Sequence, residues 1–235
     1  MNICYIVAME AEAQPFIDQY GVKKVEAFFA PLPCLLYQQQ LSNGSTLNIV
    51  VNGTQHGSSL IGCEAASITT LKAIEQLHPD LIINSGTCGA FHKHGAEIGK
   101  VYVADSVMFH DRRVMGDDEW STQSLGNYPV YGRSKEIADA LAMPMGKVTT
   151  GSSLDIQPCD LEIIDQNGGQ LKDMEGAAVA FVSSLMSVPC MLVKSVTDII
   201  DGGENTLEEF RRNLAHASQE LSKANVRIVD YLLAK

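Results

Sequence analysis

Acidic side chains stand at the ends of three apolar segments of this 235-residue chain. Glu12 closes the motif "AMEAE", which follows the first of these segments. Asp173 and Glu175 begin the small, apolar run "DMEGAAVAFVSS", and Asp198 follows the segment "CMLVKSV". A carboxylate beside a buried segment costs free energy unless a partner lies close to it. These residues are therefore either solvated helix caps or groups that act on a polar ligand.

Three carboxylates at strand ends favour acid and base chemistry or a metal site. In an open α/β sheet, ligands bind at the carboxyl ends of the strands, so Glu12, Glu175 and Asp198 are expected to converge on one cleft. Each also has a structural interpretation: Glu12 as an exposed residue of a first helical turn, Glu175 as a charge complementing a helix dipole, and Asp198 as a cap after a strand. Any one alone favours the structural interpretation, whereas their joint occurrence favours a site.

The sequence contains little that suggests a metal site or a covalent nucleophile. His92 and His94 form an isolated HxH pattern, which is more often surface histidine than a pair of ligands. Cys88 lies in the glycine turn "SGTCGAF" without an adjacent base, so a packing role is the better interpretation. Thr87 in the same turn, with the neighbouring backbone amides, offers a place for an anion or a water. We therefore expect no metal and no cofactor.

The elements that must position these residues alternate between strands and helices. Short β-branched runs ending in Gly, Asn, Asp or Ser predict strands that are buried on both faces: "ICYIVAM", "LNIVVNG", "DLIINSG", "KVYVADSV", "GKVTT" and "CMLVKSV". Helical periodicity covers residues 58–77, 174–187 and 206–234, and the first of these places near one apolar face Leu60, Ala65, Ile68, Leu71, Ile74 and Leu77. This order predicts a layered α/β/α fold with a central mixed sheet, in one domain over residues 1–235.

Composition excludes several classes of function. The formal net charge of -11 repels phosphodiester backbones and anionic lipid, so we expect no nucleic-acid partner and no membrane partner. No apolar stretch reaches the roughly 18 residues that span a bilayer. The six cysteines lie mostly inside apolar runs and lack CxxC spacing, which is typical of reduced thiols in a cytoplasmic protein.

Residues 111–133 form the one long segment without a clear periodicity. Such a segment is too long for an ordinary connection between two elements. It is expected to be either a functional or interface loop or a mobile surface insertion, because its Asp and Gly content fits both.

Six motifs occur in order along the chain: "AMEAE", "INSGTCGAF", "FHDRR", "TTGSSLD", "KDMEGAAVA" and "VKSVTDIIDG". Their order and spacing resemble those of the 5'-methylthioadenosine/S-adenosylhomocysteine nucleosidases, within the purine nucleoside phosphorylase-like superfamily, over nearly the whole chain. The plant-type branch is the most similar. The resemblance implies a nucleoside phosphorylase-like fold and an N-glycosyl hydrolase that releases adenine from 5'-methylthioadenosine, with S-adenosylhomocysteine as a second candidate substrate.

The resemblance also implies roles for individual residues. Glu12 would be the base that activates a water, and Asp198 would be the acid that faces the purine. Glu175 would anchor the ribose hydroxyls, with Met174 lying against the ribose. Thr87 stands where the family often has Ser near the water.

The chain departs from the family pattern at three positions. Lys194 stands where many bacterial members have Arg, and Leu154 replaces a frequent Phe over the base. Ser152 replaces an Asp in the usual "GDS" turn. These replacements concern the stacking and turn contacts and leave the three carboxylates in place.

The resemblance further indicates an apolar pocket for the 5' substituent and a homodimer. Met9, Leu207 and Phe210 are the candidates for this pocket, the last two by matching the family's "EEF" helix. A methylthio group is small and apolar, so 5'-methylthioadenosine is expected to be preferred over S-adenosylhomocysteine. In the homodimer, the apolar segment 107–109 is expected to reach the neighbour's site.

Two alternatives remain open at this point. A phosphorolytic nucleoside enzyme of the same fold would need cations beside the sugar to hold phosphate, where this chain has Asn84 and "AMEAE". A nucleoside-binding protein without turnover would not need all three carboxylates.

Overall fold

The computed structural model describes residues 1–114 and 118–234, which contain eleven strands, seven α-helices and a short 3-10 turn at His92–His94. The strands are β1 (Asn2–Val7), β2 (Lys23–Val25), β3 (Leu35–Gln40), β4 (Thr46–Val51), β5 (Thr54–Gln55), β6 (Ser58–Ser59), β7 (Leu81–Ala90), β8 (Val101–Phe109), β9 (Met145–Thr150), β10 (Leu171–Asp173) and β11 (Cys190–Ile199). The helices are α1 (Glu10–Tyr20), α2 (Cys63–Leu77), α3 (Asp118–Leu125), α4 (Ser134–Ala140), α5 (Pro158–Gln166), α6 (Gly176–Leu185) and α7 (Thr206–Leu233).

Nine of the strands form one mixed sheet in the order β10-β9-β8-β11-β7-β1-β4-β3-β2, and β5 and β6 form a separate hairpin. Strands β4, β1, β7 and β11 run parallel to one another, whereas β8 is antiparallel to β11. An additional antiparallel pairing of β10 with β7 closes β7, β11, β8, β9 and β10 into a ring. The ring brings the ends of β7, β10 and β11 together.

The sheet lies between two layers of helices because successive residues of its central strands point to opposite faces. Ile82 of β7 and Leu192 of β11 pack in the apolar cluster that contains α2 and α6. Ile83 and Val193, one residue later in each strand, pack in the cluster that contains α1, α4 and α7. The predicted layered α/β/α fold is therefore confirmed.

The structure confirms the predicted strands and helices and adds elements that the sequence pattern did not indicate. Each of the six predicted strands is present, as β1, β4, β7, β8, β9 and β11. The three predicted helices are α2, α6 and α7, although α2 begins at Cys63 and residues 58–59 belong to β6. Strand β3, the edge strand β2 and the three-residue β10 escaped prediction because their apolar runs are short or interrupted by polar residues.

Two predictions about burial were wrong. Ile68 and Leu71 of α2 are 53% and 41% exposed. The face of α2 that meets the sheet and α6 combines Ala66 and Ala73 with two residues of the predicted face, Ile74 and Leu77, so that face was predicted correctly only in part.

The prediction that the segment 107–109 reaches a neighbouring subunit was wrong for two of its residues. Val107 and Met108 are fully buried in β8, whereas Phe109 lies in the wall of a second cavity.

The sequence suggested that the segment 111–133 is irregular throughout, but the structure shows regular elements within it. Helix α3 lies within it, and Tyr128 forms an isolated bridge to Val107 of β8. Residues 115–117 of the segment lie outside the described residues. Across the described chain, none of the helices combines the length and the apolar character that crossing a bilayer requires.

Candidate active site

A cavity opens where β1, β7, β10 and β11 end, beside the start of α7. Nine of the ten residues that sequence analysis proposed for the site line this cavity: Met9, Glu12, Thr87, Leu154, Met174, Glu175, Asp198, Leu207 and Phe210. The tenth, Lys194, does not form part of its wall but lies beneath it, 1% exposed. The expected convergence of Glu12, Glu175 and Asp198 at the strand ends therefore agrees with the structure.

Glu12 is held rigidly at one end of the cavity. It lies in the first turn of α1 and is 4% exposed. Its Oε1 accepts hydrogen bonds from the amide and the Oγ1 hydroxyl of Thr87, both at 2.7 Å, and its Oε2 accepts one from the amide of Met9 at 3.1 Å. Burial raises the pKa of Glu12, and the Thr87 donors limit that rise because they stabilise the carboxylate. The side chain can therefore act as a general base near neutral pH.

Glu175 lies directly before α6, at its N-cap, and is also buried. Its Oε1 accepts a hydrogen bond of 2.8 Å from the amide of Gly62 at the start of α2. Burial and the neighbouring carboxylate of Asp173 raise the pKa of Glu175 to about 7. Glu175 therefore fits both interpretations of the sequence. It is a charge near a helix N-terminus, and its side chain also faces the cavity.

Asp198 lies near the end of β11, just after the pairing of β11 with β7 changes register at a bulge. Its Oδ1 accepts a hydrogen bond of 2.8 Å from the Oγ1 hydroxyl of Thr197. Burial raises the pKa of Asp198, while the Thr197 hydroxyl and the positive charge of Lys172 oppose that rise. A raised pKa is the condition under which an aspartic acid can donate a proton near neutral pH.

The remaining acid of "DMEG", Asp173, has a structural partner. Its Oδ2 lies 2.6 Å from Lys194 Nζ, and both side chains are almost completely buried. The same carboxylate accepts hydrogen bonds from the Thr150 hydroxyl and from the amide of Gly176 in the first turn of α6. Burial alone would lower the pKa of Lys194, but Asp173 and Glu175 outweigh it and raise that pKa, so the lysine remains a cation.

Sequence analysis missed Lys172, a buried cation in the cavity wall. Its Nζ donates hydrogen bonds to the backbone carbonyl oxygens of Ser153, at 2.7 Å, and Leu154, at 3.0 Å. The amide of Ser152 in the same loop donates to Asp111 Oδ2 at 2.7 Å. Asp111 and Lys172 thus hold the loop of Ser152, Ser153 and Leu154, in which Ser152 stands where the family usually has Asp. The one sequence signal for Lys172 was its place in "LKD". In a strand, its side chain points to the face opposite to those of Leu171 and Asp173.

Apolar side chains form most of the remaining wall. Besides the predicted Met9, Leu154, Leu207 and Phe210, three isoleucines that sequence analysis did not propose line the cavity: Ile61, Ile156 and Ile200. They come from the segments before α2, before α5 and after β11. Such a wall fits a flat base and an apolar substituent, with carboxylates reserved for the polar groups of the ligand.

The described residues contain no group of three or more His, Cys, Asp or Glu side chains arranged to hold a metal ion. His92 and His94 lie in the exposed 3-10 turn, whose amides at His92 and Lys93 donate to the carboxylate of Asp201. Cys88 is buried, and burial raises the pKa of its thiol well above the ordinary value. Neither feature suits ligand binding or nucleophilic attack.

Comparison with known proteins agrees with this geometry. A model of the phosphorylase superfamily matches residues 2–230. A 5'-methylthioadenosine/S-adenosylhomocysteine nucleosidase of Arabidopsis thaliana is 38% identical, with 100% of this chain and 92% of the relative covered. The solved apo structure of Arabidopsis thaliana 5'-methylthioadenosine nucleosidase is 33% identical and superposes with a TM-score of 0.94, covering 100% of this chain and 96% of that one. With its full length matched in both sequence and structure, the chain belongs to the phosphorylase superfamily and, within it, to the 5'-methylthioadenosine/S-adenosylhomocysteine nucleosidases.

Proposed function

We propose that this protein hydrolyses the N-glycosidic bond of 5'-methylthioadenosine, and less efficiently that of S-adenosylhomocysteine, releasing adenine and a 5-thio-ribose. The observation that carries the proposal is the convergence of three buried carboxylates, Glu12, Glu175 and Asp198, on one largely apolar cavity. Each comes from a different strand end and each has a raised pKa.

Breaking the bond between ribose and adenine leaves positive charge on the sugar and negative charge on the departing base. Asp198 gives its proton to the base as the electron pair of the C–N bond moves onto adenine. Glu175 accepts hydrogen bonds from the ribose hydroxyls and stabilises the cationic sugar. Glu12 takes a proton from a water molecule, and the water oxygen forms the new bond to the anomeric carbon. The remaining hydroxyl group of that water stays on the sugar, and its proton stays on Glu12.

Charge in the cavity supports water over phosphate as the attacking group. Four carboxylates line it, those of Glu12, Asp173, Glu175 and Asp198. Lys172 is the one cation in the described wall, and its ammonium group already donates to two carbonyl oxygens. A phosphate dianion would therefore meet repulsion without a free cationic partner, whereas a neutral water would not. The carboxylates of Glu12, Glu175 and Asp198 also argue against a nucleoside-binding protein without turnover, which would not need all three.

We expect purified protein to release adenine from 5'-methylthioadenosine in phosphate-free buffer, without added metal or cofactor. The measurement is adenine appearance by chromatography, with and without inorganic phosphate, in a buffer that contains a chelator. Equal rates in the two buffers and a free thio-ribose product support hydrolysis. A strict requirement for phosphate, with 5-methylthioribose 1-phosphate as product, would contradict it.

We expect Asp198→Asn to lower kcat by about 10²–10⁴-fold, because asparagine keeps the shape but cannot supply the proton. The matched control is Asp105→Asn, which makes the same change at an exposed position of β8 outside the cavity and is expected to keep wild-type turnover. Melting temperatures of both variants test whether the fold is intact. Near wild-type kcat in Asp198→Asn would remove this residue from the mechanism.

A homodimer is part of the proposal, as is action in the cytoplasm, which the six free cysteines favour. Exposed apolar side chains occur on two helices that pack side by side, Ile68 and Leu71 on α2 and Leu185 on α6. Leu185 is 68% exposed. Such a surface favours association with a second copy of the chain.

We expect sedimentation of the wild-type protein at micromolar concentration to give twice the mass of the chain. The double variant Ile68→Glu/Leu71→Glu is expected to shift the mass to that of the monomer, because the charges cannot be buried in an interface. Gln219→Glu, at an exposed position of α7 in the opposite layer of helices, is the control for added negative charge. A monomeric wild type would count against the homodimer.

We expect the specificity constant to be higher for 5'-methylthioadenosine than for S-adenosylhomocysteine. The proposed 5' end of the cavity is bounded by Met9, Ile61, Leu207 and Phe210, none of which can pair with the amine or carboxylate of a homocysteine tail. The test is kcat/KM for both nucleosides in one preparation. Equal values would refute the preference and leave the hydrolase proposal unaffected.

A further inference from the structure

Asp198 and Lys172 stand on opposite sides of one glycine. Gly89 of β7 is the cross-strand partner of Asp198 on β11 and also of Lys172 on β10. A β-carbon built on Gly89 would lie 2.5 Å from Asp198 Oδ2. The missing side chain therefore leaves room for the carboxylate, and Lys172 and Asp198 both face the cavity.

Lys172 brings a positive charge to this site without forming a contact ion pair. It forms none with a described carboxylate within 4.0 Å, and its partners are the carbonyl oxygens of Ser153 and Leu154. These two hydrogen bonds fix the ammonium group in the wall. Its charge can consequently act on Asp198 through space in a poorly hydrated setting.

Glu209 approaches Asp198 from the other side, on α7. It is 6% exposed, and its Oε2 accepts a hydrogen bond of 2.9 Å from the amide of Ile199, the residue after Asp198. The bulge in β11 leaves Thr197 without a cross-strand partner directly before Asp198, and Glu209 binds the amide that directly follows Asp198. Its other oxygen lies 3.8 Å from the half-exposed guanidinium of Arg212, too far for a hydrogen bond.

We propose that Glu209 and Lys172 are positioning residues that flank Asp198 and set, through their opposite charges, how readily it releases its proton to the leaving base. The inference rests on the proposed role of Asp198 as the acid of the hydrolysis. Neither residue needs to touch the reacting atoms, because Glu209 acts on the backbone and the charge of Asp198, and Lys172 acts on its charge alone.

The electrostatic surroundings of Asp198 agree with the geometry. Burial raises its pKa first, Glu209 raises it further by like-charge repulsion, and the Thr197 hydroxyl and Lys172 lower it. Another titratable neighbour, Cys88 on β7, stays a neutral thiol because burial raises its own pKa. Burial lowers the pKa of Lys172, and the carboxylate of Asp198 opposes that fall. Burial and Glu209 thus favour the protonated form of Asp198, and Lys172 favours the carboxylate that forms once the proton has left.

The test compares the pH dependence of kcat/KM in two variants that each remove one charge. Glu209→Gln keeps an oxygen for the Ile199 amide, and the pKa of Asp198 should fall, so we expect the alkaline limb to move to lower pH by on the order of half a pH unit. Lys172→Gln keeps an amide donor toward the loop, and the pKa of Asp198 should rise, so we expect the limb to move to higher pH. Opposite displacements cannot arise from general damage to the fold.

Glu208→Gln provides the matched control, because it removes the same charge from the neighbouring, exposed residue of α7. It is expected to leave the limb in place, and melting temperatures show that each variant is folded. Displacements in the same direction, or no displacement in Glu209→Gln, would overturn the inference even if the wild type is an active hydrolase. Failure of the hydrolase proposal itself would appear separately, as absence of adenine release by the wild type or a fully active Asp198→Asn.

Discussion

The arrangement of the cavity depends on one buried ion pair, between Lys194 of β11 and Asp173 of β10. Three further carboxylates, those of Glu12, Glu175 and Asp198, lie around the same cavity, and their mutual repulsion would destabilise the folded state in a poorly hydrated space. Lys194 counters this because it contacts Asp173 and also lies close to Glu12 and Glu175. Removing one partner of such a pair typically costs about 3–5 kcal/mol, since the other charge is left buried and alone.

The glycines near the end of β7, Gly86 and Gly89, serve the same crowded site. A β-carbon on Gly86 would lie 3.3 Å from Glu12 Oε1 and 3.6 Å from Lys194 Nζ, and one on Gly89 would meet Asp198. The segment "SGTCGAF" was interpreted from the sequence as a glycine turn, but its residues 85–90 continue strand β7, and its glycines make room for carboxylates. Thr87 between them donates both its amide and its hydroxyl to Glu12, which leaves these two donors unavailable to an anion. The acids can therefore occupy these positions only because the adjacent residues of β7 have no side chains.

Local patterns were sufficient for the central strands and for the meeting of Glu12, Glu175 and Asp198, because parallel strands place their ends at one edge and the family motifs mark those ends. They were insufficient wherever an interaction joins residues distant in sequence. The roles of Lys172 and Glu209 depend on the ring closed by β10 and on the docking of α7, neither of which has a local signature. The buried face of α2 was misjudged in part for a related reason, since the docking of α2 on the sheet and on α6 buries Ile74 and Leu77 together with Ala66 and Ala73 and leaves Ile68 and Leu71 exposed.

Membership in a superfamily of phosphorylases does not by itself decide which nucleophile attacks the sugar. A hydrolase and a phosphorylase differ in whether the cations near the sugar are free to bind phosphate. In the described part of this site, Lys194 is committed to Asp173 and Lys172 to two carbonyl oxygens, so both buried ammonium groups neutralise or fix parts of the protein. A phosphate-dependent enzyme must instead keep cationic donors free for the anion. Here the free groups facing the cavity are acids, which can take a proton from water or give one to a base, and the same fold is thereby suited to hydrolysis.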